Sequence, residues 1–183
     1  MKTPTTALLS IDVQQSFPAR PYWREDDVPL FRRAITSLID GAAQRGWPVV
    51  RILHEDGEGA FAHASGLVKP LDWMPETHSV EFVKHVHNAF TDTGLDYWLR
   101  TRGIRRIAIA GIRTEQCCET TARVASDLGY AVDFVGDATL TFPMTDRASG
   151  REFSAAEIRE RTELVLRDRF ARIVSVDEAL ATQ

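Results

Sequence analysis

Apolar runs of strand length alternate along the chain with longer segments of helical period. The apolar runs predict six strands: Ala7–Val13, Pro48–Leu53, Ser79–Val83, Arg106–Ala110, Ala131–Val135 and Arg172–Val176. The segments between them predict four helices: Leu30–Arg45, Gly94–Arg102, Glu115–Leu128 and Ala155–Phe170. This alternation predicts one doubly wound, Rossmann-like α/β domain over residues 1–183, with a mostly parallel sheet of about six strands and helices on both faces.

Two irregular segments interrupt this pattern. Residues 54–79 have no sustained period, and residues 18–29 are rich in proline. Loops this long in a compact domain are usually functional, so we interpret residues 54–79 as a pocket wall or lid. In doubly wound sheets ligands bind beyond the carboxyl ends of the strands, where the strand order reverses.

Composition narrows the class of protein. The 183 residues are 44% hydrophobic, and 22 Lys and Arg stand against 26 Asp and Glu, a net charge of −4. This balance offers no positive excess for nucleic acid or an anionic membrane, and no apolar run reaches the roughly 20 residues that span a bilayer. Met1 to Pro4 lack the basic-then-apolar pattern of a secretion signal. We therefore predict a cytoplasmic protein without nucleic-acid or membrane partners.

One carboxylate, Asp12, is embedded in the first apolar run. Such a carboxylate loses hydration, and its pKa rises unless a cation or hydrogen-bond donors meet it. The position fits a functional carboxylate, and it equally fits a structural Asp that ties down the following loop.

The turn after the strand Arg106–Ala110 contains Thr114, a good N-cap residue, which would place Cys117 in the first helical turn. Unpaired N–H groups and the helix dipole there favour a thiolate, so Cys117 is a candidate nucleophile. The alternative is a small, inert, buried side chain.

The two cysteines, Cys117 and Cys118, are neighbours, and a disulfide between adjacent residues is strained. At about 100° per residue, Cys118 shares a stripe of small residues with Ala122, Ala125 and Gly129. Such a stripe packs closely against a sheet. We therefore assign Cys118 to packing and expect Cys117 to point into the cleft.

Lys84 follows the apolar run Ser79–Val83. A lone lysine is usually solvated on the surface. In a cleft with Asp12 and Cys117, however, its ammonium would help to hold both the carboxylate and the thiolate.

Three motifs in order give the chain a resemblance to a known family. Residues 12–17 (DVQQSF) fit D-x-Q-x-x-F, residues 84–90 (KHVHNAF) fit K-x-x-x-[SN]-A-F, and residues 111–117 (GIRTEQC) fit G-x-x-T-x-x-C. Together they resemble the isochorismatase-like cysteine hydrolases, which include nicotinamidases and N-carbamoylsarcosine amidases.

The resemblance implies a catalytic triad of Asp12, Lys84 and Cys117. It also implies a cis peptide at Ile112-Arg113 and an oxyanion hole made by the N–H groups of Arg113 and Cys117. The expected activity is hydrolysis of a small amide, carbamoyl or ureido compound through an acyl-enzyme on Cys117. Members of the family are commonly homo-oligomers, which we also expect here.

The chain departs from the nicotinamidase pattern after the second strand. Nicotinamidases carry an Asp-x-His metal site there, whereas this chain reads Leu53-His54-Glu55-Asp56. We therefore expect no catalytic metal and no other cofactor. A cluster of His54, Asp56 and His63 is one alternative, and a solvated loop histidine is the other.

Five residues are candidate substrate contacts: Gln14, Phe17, Trp23, Trp73 and Arg113. The aromatic rings fit the apolar wall of a small-molecule pocket, and they equally fit the core or an oligomer contact. Arg113 stands where the family more often has a small residue. Its guanidinium would bind a substrate carboxylate or point to solvent.

Three other functions compete with an amidase. A non-catalytic relative would keep the fold for binding or assembly, and would be favoured by a Lys84 far from Asp12 and Cys117. A vinyl-ether hydrolase of the isochorismatase type does not need the thiol. A thiol redox protein prefers C-x-x-C spacing over adjacent cysteines.

Overall fold

The computed structural model describes residues 5–181 and places the predicted strands in one parallel sheet. The described residues form eight strands: β1 Thr6–Ile11, β2 Val49–His54, β3 Val80–Lys84, β4 Arg106–Ile112, β5 Ala131–Leu140, β6 Met144–Thr145, β7 Glu152–Phe153 and β8 Arg172–Val174. The main sheet has the order β3-β2-β1-β4-β5-β8, and β6 and β7 form a short antiparallel pair. The predicted six-stranded parallel sheet is confirmed.

Helices cover both faces of this sheet, as predicted. The α-helices are α1 Val28–Gln44, α2 Leu95–Arg100, α3 Glu119–Asp127, α4 Ala155–Leu166 and α5 Val176–Ala181. Alternate residues of a strand face opposite sides. Leu8 accordingly packs in one core with Ile35 of α1, whereas Leu9 packs in the other with Leu95 and Ala122 of α2 and α3.

The strand order reverses beside β1. The chain runs from β1 outward through β2 to β3, and then returns to lay β4 against the other side of β1. The carboxyl ends of these four strands therefore meet at one edge of the sheet, where the sequence analysis places its candidate residues.

The structure moves several predicted boundaries. Strand β3 extends to Lys84 and β5 continues to Leu140, and β6 and β7 occupy the predicted loop of residues 137–150 and the residues just after it. The last strand ends early because helix α5 follows it. Ser175 and Glu178 cap that helix reciprocally, with each side chain bonded to the other residue's backbone N–H.

The predicted helix Glu115–Leu128 is wrong at its start. Residues Thr114–Cys118 form a π-helical turn, and α3 begins at Glu119. Thr114 does not cap this segment, because its hydroxyl donates to the hydroxyl of Thr139 on β5, 2.9 Å away. The Thr114 hydroxyl thus bonds to a residue of a neighbouring strand instead of to a backbone N–H of its own helix, as the predicted N-cap would.

The structure bears on the prediction about membrane spans but not on the prediction about a secretion signal. Between residues 5 and 181, no helix combines the length and the apolar character needed to cross a bilayer. The expectation drawn from Met1 to Pro4 lies outside the described residues.

Gly111 lets β1 and β4 approach each other closely at the edge that holds the candidate residues. It pairs with Ile11 and has φ of 134°, and a Cβ built there would overlap the Ile11 carbonyl oxygen. We predict that Gly111→Ala lowers the free energy of unfolding by about 3 kcal/mol, measured by urea denaturation.

Gly57→Ala is the matched control, because no atom lies within 4 Å of a Cβ built there. We expect it to unfold at the wild-type urea concentration. Equal midpoints for the two variants would contradict the proposed steric role of Gly111.

Candidate active site

The site is built around the buried ammonium group of Lys84, the last residue of β3. Its Nζ lies 2.9 Å from Asp12 Oδ2, 2.9 Å from His54 Nδ1 and 3.3 Å from Cys117 Sγ. Lys84 and Asp12 are fully buried, and Cys117 is 7% exposed. The structure thus brings together Asp12, Lys84 and Cys117, and adds His54 to them.

Asp12 follows β1 directly and has an unusual backbone conformation. Its φ is 53°, in the left-handed region that residues other than glycine rarely adopt, and its N–H donates to the Ile52 carbonyl. Within residues 5–181 no backbone N–H donates to its carboxylate, and Oδ1 has no hydrogen-bond partner. The alternative role of tying down the loop through backbone N–H groups is therefore wrong.

Cys117 lies in the π-helical turn that follows β4. The turn comes after a cis peptide bond between Ile112 and Arg113. Cys118 is completely buried, in one core with Ala122 and Ala125 of α3. The two neighbouring cysteines thus have different surroundings, and only Cys117 contacts the ammonium.

The electrostatics of this site favour a protonated thiol at rest. Burial raises the pKa of Cys117, and the charge of Asp12 raises it further, whereas Lys84 acts in the opposite direction. The expectation that a helix terminus favours the thiolate is therefore wrong, because Cys117 is buried in a π-helical turn. Its activation requires a proton acceptor.

Lys84 remains charged despite its burial. Burial acts to lower the pKa of the ammonium, but the charge of Asp12 and the nearby Cys117 sulfur outweigh this and raise it. The ion pair with Asp12 balances the charge inside the protein.

His54 is a site residue that the sequence analysis did not assign to the site. It ends β2 and pairs in register with Lys84 on β3, which brings the two side chains together. Its half-buried ring stacks parallel to His87, with centroids 6.4 Å apart, and meets Phe61 edge-on at 5.7 Å. The alternative of a solvated loop histidine is wrong. The sequence feature that indicates a site role for His54 is its position at the carboxyl end of the second strand.

The other histidine and acid considered as metal ligands do not form a cluster with His54. Asp56 and His63 are exposed, and His63 pairs with Glu55 at 3.1 Å. In the part of the chain that the structure describes, no three His, Cys, Asp or Glu side chains are grouped to hold an ion.

Gln14 positions the backbone beside the site. Its Oε1 accepts from the His54 N–H at 2.7 Å, and its Nε2 donates to the His54 carbonyl and to Ser16 Oγ. The side chain is fully buried and both ends of the amide are occupied. The predicted substrate contact of Gln14 is therefore wrong.

The aromatic side chains predicted to line the pocket lie in different parts of the structure. Phe17 is buried edge-on against Phe61, which in turn contacts His54, so Phe17 backs the site indirectly. Trp73 instead packs on Phe31 of α1, with centroids 6.1 Å apart. Trp73 therefore packs against the core, which is the alternative to a place in the pocket wall.

Trp23 and Arg113 meet around a common ring, Phe142. Trp23 packs on Phe142 at 5.1 Å, and the Arg113 guanidinium lies over Phe142 and, at 4.9 Å, over Tyr22. Trp23 thus belongs to the surroundings of Arg113.

The Arg113 side chain is buried and ion-paired, so the alternative that it points to solvent is wrong. Its Nη2 lies 2.9 Å from Glu115 Oε1, and the other Glu115 oxygen accepts from Thr141 Oγ1 at 2.6 Å. The carboxylate that Arg113 pairs with therefore belongs to Glu115 of the same chain.

Comparison with known proteins agrees with the resemblance in the motifs. The profile of the Isochorismatase domain matches residues 6–175. The uncharacterized isochorismatase family protein YrdC of Bacillus subtilis is 28% identical over 182 residues, 95% of this chain and 94% of that protein. Nicotinamidase 3 of Arabidopsis thaliana is 35% identical over 95 residues, 52% of this chain and 42% of that protein.

Solved structures share the fold. A crystal structure of an isochorismatase-family protein from Chromobacterium violaceum superposes with a TM-score of 0.86 at 29% identity, covering 96% of this chain and 91% of that one. The α/β fold of this chain therefore belongs to a known architecture.

The buried pair of Arg113 and Glu115 gives a stability prediction. Glu115→Gln keeps an acceptor for Thr141 but leaves the guanidinium without its counter-charge, at a cost of about 3 kcal/mol or more. We expect the midpoint of urea unfolding to fall accordingly.

The control is Glu163→Gln, which removes the charge that pairs with Arg167 at a more exposed position. This substitution should lower the free energy of unfolding by less than about 1 kcal/mol. Replacing both buried partners, as Arg113→Met with Glu115→Leu, should recover part of the loss. A Glu115→Gln protein as stable as the wild type would refute this account of the pair.

Proposed function

The chain belongs to the isochorismatase family, and on that premise we propose that it is a cysteine hydrolase of small amide, carbamoyl or ureido compounds. One observation carries the proposal: the Lys84 ammonium lies between the Asp12 carboxylate and the Cys117 sulfur, all three in a buried site. A nucleophile, a proton acceptor and a fixed positive charge are the groups that acyl transfer needs.

In the first half of the reaction, Asp12 takes the proton of the Cys117 thiol as the sulfur attacks the substrate carbonyl carbon. A C–S bond forms and the carbonyl oxygen becomes an oxyanion. The position of Asp12 supports this role, since its carboxylate is paired with the Lys84 ammonium, which also contacts the Cys117 sulfur. Lys84 then balances the negative charge as it passes from carboxylate to substrate.

The tetrahedral intermediate collapses by breaking the C–N bond. The protonated Asp12 gives its proton to the leaving nitrogen, which departs as ammonia or an amine and leaves a thioester on Cys117. Water then attacks the thioester, with Asp12 accepting its proton. The C–S bond breaks, Asp12 returns this proton to the Cys117 sulfur, and the acid product leaves the restored thiol and carboxylate.

The N–H groups of Arg113 and Cys117 are the proposed oxyanion donors. They belong to the residue before the π-helical turn and to the turn itself, on the same segment as the nucleophile. Paired donors aimed at the oxyanion typically lower the barrier by a few kcal/mol, about 3 kcal/mol for each donor.

The competing functions fit the site less well. Vinyl-ether hydrolysis has no need for a thiol in contact with an ammonium, whereas the similarity to a nicotinamidase favours an amide. A binding-only protein has no need of the contacts between Lys84, Asp12 and Cys117. A redox role is disfavoured because both cysteines are free and Cys118 is fully buried.

The nucleophile is tested with Cys117→Ala and its matched control Cys118→Ala. We predict that Cys117→Ala lowers ammonia release from a panel of amides and ureides by about a thousandfold or more. Cys118→Ala should stay within about tenfold of the wild-type rate, because the Cys118 side chain only packs in the core.

An electrophilic amide should add mass to the wild type and to Cys118→Ala, as seen by peptide mass spectrometry. Equal labelling of Cys117→Ala would refute the assignment.

Metal independence is a separate prediction. We expect dialysis against a chelator to leave the rate of ammonia release unchanged, because the proposed steps use only side chains and backbone N–H groups. A loss of activity that added zinc restores would overturn this expectation.

A further inference from the structure

We propose that His54 is a positioning residue that holds the Lys84 ammonium through its unprotonated Nδ1, and that protonation of His54 switches the site off. The inference rests on the proposed function, because it concerns the charge on which the Cys117 chemistry depends. His54 is not among the residues that the three sequence motifs select.

The hydrogen bonds of the ammonium identify the form of the ring. A lysine ammonium has three N–H donors and no acceptor. Asp12, Cys117 and His54 Nδ1 lie around it at 2.9, 3.3 and 2.9 Å. Nδ1 must therefore accept, so the ring is neutral and carries its hydrogen on Nε2. In this form His54 completes the set of acceptors.

The position of the ring is fixed from several sides. His54 pairs directly with Lys84 across β2 and β3, and Gln14 clamps its backbone through both N–H and carbonyl. Phe61 and His87 flank the ring itself. The ring is thus held against Lys84 by its strand and by its neighbours.

The charges around the ring oppose its protonation. The titratable groups that face it are Lys84 on β3, Asp12 after β1, Asp56 after β2 and His87 after β3. Burial lowers the pKa of His54, Lys84 lowers it further and His87 adds slightly, which together outweigh the two aspartates. A proton on Nδ1 would also place a second cation 2.9 Å from the ammonium.

The direction of the pH effect follows. Because its pKa in the folded protein lies below the ordinary value near 6.5, His54 is neutral above that value and the Lys84 contact is complete. As the pH falls through the lowered pKa, the contact is lost and the folded state loses stability relative to the unfolded chain. The Nε2 side has no partner among residues 5–181 and is not fully buried, so protons can reach the ring.

The state of the ring can be measured without a substrate. Nitrogen-15 NMR of the five histidines, with His54 assigned by its absence in His54→Asn, should show hydrogen on Nε2 and a pKa below 6.5. In Lys84→Met the pKa of His54 should rise. Hydrogen on Nδ1 in the wild type, or a pKa that Lys84→Met leaves unchanged, would overturn the proposal.

Kinetics test the positioning role on an amide from the panel described above. Asn places an amide oxygen near the position of Nδ1 and does not titrate, whereas Leu removes the acceptor. We expect His54→Leu to lower kcat about tenfold or more with little change in KM. His54→Asn should keep kcat near pH 7 within about threefold, with an acid limb displaced to lower pH.

His63→Asn is the control, because that side chain is 90% exposed and does not contact Lys84. It should keep the wild-type kcat and pH profile. An acid limb shared by His54→Asn and the wild type, or a wild-type kcat in His54→Leu, would refute the role of His54. Failure of every amide together with failure of iodoacetamide to label Cys117 would instead refute the proposed function, and NMR would still decide the state of His54.

Discussion

A lysine ammonium in the protein interior is the constraint around which this edge of the molecule is organised. Lys84 is fully buried, and an ammonium that loses water without gaining acceptors costs several kcal/mol. Its acceptors come from three different places: Asp12 after β1, His54 at the end of β2 and Cys117 after β4. The protein can replace the water around the ion only when the ends of four strands meet. The candidate site therefore exists only in the folded sheet.

The backbone departs from regular geometry where these contacts are made. Asp12 adopts a positive φ directly after β1, and Gly111 lets β4 approach the Ile11 carbonyl closely. The turn that carries Cys117 is a π-helix rather than the start of α3. Such conformations persist only where the surrounding structure enforces them. Here the regular part of the sheet holds the irregular segments that carry the candidate site residues.

The sequence predicted the sheet, because apolar runs are local features. Position alone left Asp12, Lys84 and Cys117 open between functional and structural roles, and the resemblance of the three motifs to a known family selected them as site residues. The sequence did not predict the role of His54, since a lone histidine carries no sign of its partner until the register of β2 and β3 is known. The cap expected at Thr114 failed for a similar reason, because its hydroxyl partner is on β5. The helix that begins at Val176 differs, since Ser175 and Glu178 form a capping box that is visible in the local sequence.

The raised pKa of the Cys117 thiol also bears on the proposed cleavage of an amide bond. A thiolate of low pKa is more abundant but less nucleophilic, and it leaves a tetrahedral intermediate more readily. An amide nitrogen is a poor leaving group, so a thiolate that departs easily would return the substrate unchanged. A thiol that loses its proton to Asp12 only during attack is the stronger nucleophile and the poorer leaving group. In the proposed mechanism, protonation of the nitrogen by Asp12 would then favour cleavage of the C–N bond. Burial, which raises the pKa of Cys117, thereby suits the proposed amide chemistry.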